Sequence, residues 1–156
     1  MEIKGNFEVK SDLDRIWGIV SDPNKFSKCL PNVVSTEVNG DSFQLRFKAD
    51  TKKYTAKFIG ASYLSSLNVK FSAEIKEKQD KKHVLIDGNG STMGLKFSIS
   101  LYIDLSSNKE STTVTWRVEI ELGKMAKLFG NDIVQQAVND VVKQTIDNLQ
   151  DMIKQI

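Results

Sequence analysis

The chain has 156 residues, 40% hydrophobic and 27% charged, and a formal net charge of +2 at pH 7. That length suits a single domain spanning 1–156, which would bury roughly 68–70% of its unfolded surface without covalent staples. The near-balanced charge points away from nucleic acid, the lone cysteine, Cys29, excludes an internal disulfide, and the absence of an apolar run of about 18 residues excludes a membrane-spanning helix.

Ile3, Gly5, Phe7 and Val9 alternate with polar residues, the period of a strand with one buried face. Ser11 supplies an N-cap with Asp14 three residues on, and Leu13, Ile16, Trp17 and Val20 follow at helical spacing, so a short helix is expected over 12–20. Asp22-Pro23 caps a second short helix running to about Lys28, ended by Leu30-Pro31-Asn32. A series of strands follows. Phe43, Leu45, Phe47 and Ala49 share one face; Tyr54, Ala56 and Phe58 repeat the pattern; and Leu67, Val69, Phe71, Ala73 and Ile75 extend it. Val84-Leu85-Ile86 reads as a shorter strand, Leu95 to Leu105 and Val114 to Leu122 as two long ones. Turns are expected at Asn39-Gly40-Asp41 (or a bulge there), Asp50–Lys52, Lys78–Lys82, Asp87–Gly90 and Ser106–Glu110. From Lys124 the period changes to 3.6, and an apolar stripe from Met125 to Ile156 predicts a long final helix from about Asn131 to Gln155, with a kink near Gly130.

An antiparallel sheet with one apolar face needs a cover, and the final amphipathic helix supplies it. The expected class is therefore α+β: seven or eight curved antiparallel strands around a long C-terminal helix, with two short helices after the first strand.

Chemistry-bearing residues are sparse. His83, the only histidine, sits beside Lys81 and Lys82 and reads as a surface residue. One histidine and one cysteine are too few for a zinc site, so no metal is expected. Neither a Ser-His-Asp nor a Cys-His system is supported, and no phosphate-binding glycine motif is present. Gly88-Asn89-Gly90 reads as a turn, and Glu2, Glu8, Glu74, Asp104, Glu119 and Glu121 as a solvated face. Tyr54 and Tyr63 read as packing residues and Cys29 as a small buried hydrophobe. No catalytic residue and no cofactor are assigned. With no signal-peptide pattern at Met1–Asn6, the expected location is the cytoplasm.

The element order resembles the helix-grip superfamily of START lipid-transfer domains, Bet v 1-like proteins and polyketide cyclases (SRPBCC). Within it, Asp22-Pro23 followed by Lys28-Cys29-Leu30-Pro31-Asn32-Val33 is similar to a motif of CoxG, the family of the carbon monoxide dehydrogenase G-subunit. So are Leu122-Gly123-Lys124-Met125-Ala126-Lys127-Leu128-Phe129-Gly130 and the opening Met1–Val9. Asn32 stands where that family usually has Gly, and about ten extra residues lie between Gly40 and Leu64.

The resemblance implies a small hydrophobic ligand, lipid- or quinone-like, held between sheet and helix, and an accessory role beside a molybdenum hydroxylase-type dehydrogenase. The expected lining is Phe26, Leu30, Met93, Phe97, Trp116, Met125, Phe129 and Ile133, with Phe26, Leu30, Met125 and Phe129 at one mouth. Two other readings stay open: a cyclase or aromatase, which needs ionisable groups inside, and a docking adaptor, which needs an exposed apolar patch.

Overall fold

The computed structural model describes residues 1–10, 13–50 and 66–154. Strand β1 (Glu2–Val9) leads into α1 (Leu13–Val20), α2 (Pro23–Phe26) and a 3-10 turn (Ser27–Cys29). Six strands follow: β2 (Val33–Asn39), β3 (Ser42–Asp50), β4 (Ser66–Gln79), β5 (His83–Thr92), β6 (Leu95–Ser107) and β7 (Thr112–Glu121). The chain then forms α3 (Met125–Phe129) and α4 (Asn131–Lys154). The described strands form one antiparallel seven-stranded sheet in the order β1-β7-β6-β5-β4-β3-β2. This is the helix-grip architecture, with α4 laid across the concave face. Ser11 and the strand expected around Tyr54, Ala56 and Phe58 lie outside the described residues, as does Tyr63.

Local chemistry accounts for the element boundaries. Asp22 Oδ1 accepts from the Asn24 N–H at 2.9 Å, capping α2 directly before Pro23. Gly40, with φ 62°, turns β2 into β3, so Asn39-Gly40-Asp41 is a hairpin and not a bulge. Gly130, with φ 88°, ends α3, and α4 starts at the next residue, which places the break where the sequence predicts a kink. The core joins the helices to the sheet through Ile16, Val20, Val84, Val114, Leu149 and Ile153, each at most 1% exposed.

One expectation is overturned. Asp87–Gly90 is not a turn; β5 continues through it to Thr92, and the reversal falls at Met93-Gly94. Gly88 and Gly90 continue the inward phase of Val84 and Ile86, and aromatic rings cover them. A Cβ on Gly90 would lie 2.2 Å from Phe97 Cζ, and one on Gly88 would lie 2.5 Å from Phe71 Cζ. Across the sheet, a Cβ on Gly5 would lie 2.7 Å from Trp116 Cζ2. The Phe71 and Phe97 rings stack nearly parallel, centroids 6.4 Å apart. A side chain at any of these positions would have to displace the ring that covers it, so glycine here allows the close approach, a known device for settling an aromatic on a curved sheet.

The convex face carries charge. Lys76 pairs with Glu74 at 3.1 Å and Lys78 with Asp41 at 3.2 Å, while Lys81 reaches Asp14 on α1 at 2.6 Å. His83 opens β5, with Nδ1 2.7 Å from Asp104 Oδ1. The Arg117 guanidinium pairs with Glu119 and stands 4.0 Å over the Tyr102 ring.

Two expectations follow for stability. Gly90→Ala forces Phe97 off its seat and should destabilise the fold by about 1–3 kcal/mol. Adding Phe97→Leu should recover most of that loss in chemical denaturation, since the obstructing ring is gone. Additive losses would show that the ring does not rest on Gly90. The second concerns Cys29, which is 0% exposed; burial pushes its thiol from 9.0 up to about 12. The fold therefore favours the neutral thiol. That contribution is fully present below about pH 9 and is lost as pH rises from there towards 12. Between about pH 8 and 10.5, wild type should lose about 2 kcal/mol more than Cys29→Ala, read from denaturation midpoints at both pH values. Parallel losses would mean that the thiol ionises alike in folded and unfolded chains.

Candidate functional site

A straight helix on a curved sheet touches it along a line, and the space left is an apolar slot. Two adjoining chambers occupy it. The first, about 140 Å³, lies under the N-terminal half of α4, between Ile133, Val134, Ala137 and Val138 on the helix and Phe47, Thr92 and Phe97 on the sheet. The second, about 100 Å³, lies under the C-terminal half, between Thr145, Ile146 and Leu149 and the rings of Phe43, Phe71 and Trp116. Ile99, Val141 and Val142 line both and form the partition. From Ile133 to Leu149 the slot follows α4 for about 24 Å at 1.5 Å per residue.

Among the described residues the walls carry no titratable side chain, and their hydroxyls are already engaged. Thr92 Oγ1 donates to the Asn68 carbonyl at 2.9 Å, and Thr145 Oγ1 donates to the Val141 carbonyl at 2.8 Å. Among the described residues, no group of three or more His, Cys, Asp or Glu side chains could hold a metal ion. What the site offers is shape and apolar surface. An apolar chamber near 150 Å³ stays dry and admits a single aromatic ring, so the first chamber alone is of that size.

The lining expected from sequence divides between the chambers. Phe97, Met125, Phe129 and Ile133 line the first, and Phe26, Leu30 and Trp116 line the second. The single mouth formed by Phe26, Leu30, Met125 and Phe129 is not what the fold builds: the first pair lies by the far half of α4, the second pair before its start. The α2 region is tied to that far half by Asn148 Nδ2, which donates to the Cys29 carbonyl at 2.8 Å. Met93 lines neither chamber; it is 51% exposed at the β5–β6 turn, with φ 53°. Trp116 faces inward as expected but is half-buried, lying over Gly5.

Sequence reasoning missed the helix wall of Ala137, Val141 and Val142, the sheet residue Ile99, and the part Gly88 and Gly90 play in seating Phe71 and Phe97. The signal was present. Continuing the alternation of Val84 and Ile86 through the two glycines would have kept that segment in the sheet. Met125 and Phe129 project from α3, a five-residue helix held between Gly123 (φ 56°) and Gly130 (φ 88°). Such backbone favours glycine, so this short element has a natural hinge at each end.

Comparison with known proteins places this geometry. A conserved protein from Geobacillus kaustophilus superposes with a TM-score of 0.77 at 20% identity, covering 98% of this chain and 95% of that one. A START superfamily protein from Mycobacterium smegmatis gives 0.66 at 12% identity, covering 99% and 97%. The Zhui aromatase/cyclase from Streptomyces sp. R1128 gives 0.60 at 10% identity, covering 98% and 90%. At such identities the likeness shows the fold alone. No curated protein matches the sequence. Residues 5–154, nearly the whole chain, match the family of the carbon monoxide dehydrogenase G-subunit (CoxG), and the protein is therefore a member of that family on a START-like helix-grip fold.

Proposed function

We propose that the protein binds a small, largely apolar molecule, lipid- or quinone-like, in the chambers beneath α4. We propose further that it does so as an accessory to a carbon monoxide dehydrogenase-like molybdenum enzyme. The observation that carries the binding reading is the pair of adjoining chambers whose described walls are apolar and whose only hydroxyls are engaged by backbone carbonyls. The dehydrogenase link rests on family membership.

Size narrows the ligand. Pockets for drug-sized molecules measure about 300–1,000 Å³, whereas the chambers here are about 140 and 100 Å³. A ligand with a ring in one chamber and a slender chain in the next would fit once the partition side chains turn, and so would a molecule that displaces α3. The hinged α3 lip makes entry from the N-terminal end of α4 the easier route. A ligand burying about 400 Å² of apolar surface would gain about 10 kcal/mol. After association costs of at least about 4 kcal/mol, affinity in the tens of micromolar remains. The cyclase reading requires an acid or base at the reacting atoms, and the described walls supply none.

The test is titration with an apolar fluorophore and with short-chain quinones. Wild type should bind in the micromolar range. Ala137→Phe, which fills the first chamber, and Met125→Lys, which sets a charge in its wall, should each weaken binding at least tenfold. Gln135→Phe, on the exposed side of α4, should leave it unchanged. Failure of wild type to bind any of these probes, or wild-type affinity in Ala137→Phe, would refute the reading.

A further inference from the structure

The two chambers beneath α4 differ in size and in how firmly their walls are held. The first measures about 140 Å³ and the second about 100 Å³. A dry apolar cavity of about 150 Å³ holds one benzene-sized ring, so the first chamber matches a ring and the second falls well short of one. The second also lies where the fold is anchored. Phe43, on its sheet side, is 2% exposed, and Leu149, on its helix side, is 1% exposed. Asn148 ties this part of α4 to the Cys29 carbonyl. Close-packed walls of this kind resist enlargement. The first chamber instead ends at α3, where Met125 and Phe129 sit between the positive-φ residues Gly123 and Gly130.

Between the chambers stand Ile99 on β6 and Val141 and Val142 on α4, the residues that border both. All three are aliphatic and half-buried, so a guest passing between their side chains breaks no hydrogen bond. An extended hydrocarbon chain needs a passage one methylene wide, which rotation of these side chains opens. A ring needs a wider one, which calls for α4 to lift from β6. The anchors at Asn148 and Leu149, about two turns from Val142, oppose that lift.

We infer that Ile99, Val141 and Val142 select the guest by cross-section, passing a slender hydrocarbon chain into the second chamber and holding back a second ring. The guest that fits has a single ring-sized group and one chain. It lies in the slot chain foremost, with the ring beside Met125 and Phe129. This rests on the proposed ligand binding and deepens it, since it names the residues that set specificity and the order in which the two parts of the guest lie. Hydrophobicity by itself would not make this choice: each buried methylene tightens binding about fourfold, and a second ring has more apolar surface to bury than one methylene. Only the width of the passage separates the two.

The experiment is competition of alkylbenzenes against an apolar fluorophore bound to the full chain. Lengthening the chain from propylbenzene to heptylbenzene should tighten binding to wild type at least tenfold, because the added methylenes pass the partition. Diphenylpropane, with one ring at each end of the propyl chain, should bind wild type within about threefold of propylbenzene. Val142→Ala widens the passage and should let diphenylpropane gain at least tenfold over propylbenzene, while heptylbenzene changes less than threefold. Ile99→Val, on the facing wall, is an independent second variant and should shift the same ratio in the same direction. The inference is overturned if the second ring tightens binding to wild type as much as the heptyl chain does, or if affinity stops rising beyond propylbenzene. It is equally overturned if neither variant improves diphenylpropane relative to propylbenzene. In each of these cases wild type still binds propylbenzene, so the carrier reading stands without the selection. Failure of wild type to bind any alkylbenzene removes the carrier reading and this inference with it.

Discussion

An aromatic side chain standing upright from a strand would reach across a thin α+β layer and fill the space beneath its covering helix. In this protein Trp116, Phe97 and Phe71 do not stand; they lie down over Gly5, Gly90 and Gly88, where the missing Cβ admits the ring edge. Much else follows from this seating. The rings lie along the concave face, and Phe43, Ile99 and the valines of α4 line the space between sheet and helix. The resulting slot is apolar because the sheet supplies rings and aliphatic groups there, and it is divided because Ile99, Val141 and Val142 meet at its middle.

The ends of α4 are held differently. Its C-terminal half is anchored by Leu149 and Ile153 in the core and by the Asn148 side chain on the Cys29 carbonyl. Its start follows α3, a five-residue helix with a positive-φ glycine on either side. Stability concentrates where anchoring contacts are many, and motion concentrates where they are few. The slot is thus firm at the α2 end and adjustable at the α3 end. Under the proposed carrier reading, that asymmetry would let a guest enter at the α3 end without unfolding the anchored half.

Charge on the outside follows a different logic from packing inside. Lys76, Lys78, Lys81 and Arg117 stand beside acids at pairing distance, the arrangement expected of a solvated surface of low net charge. On β3 and β4, Arg46 and Lys70 stand directly opposite each other, a like-charge pairing that works against the sheet.

The element order, the antiparallel sheet, the long final helix and the break at Gly130 were all legible in the residues, because period two, period 3.6, caps and turn glycines act over a few positions. The apolar character of the site was legible too, since one histidine and one cysteine leave little reactive chemistry to place. Membership of Gly88 and Gly90 in a strand was not. A glycine pair between polar residues looks like a turn until the rings from β4 and β6 that cover it are in position. Nor could residue order show that Phe26 and Leu30 lie in one chamber and Met125 and Phe129 in another, that Met93 points to solvent, or that Arg46 faces Lys70. Each of these depends on which strands are neighbours and in what register, and register is fixed only when the whole sheet closes on its core.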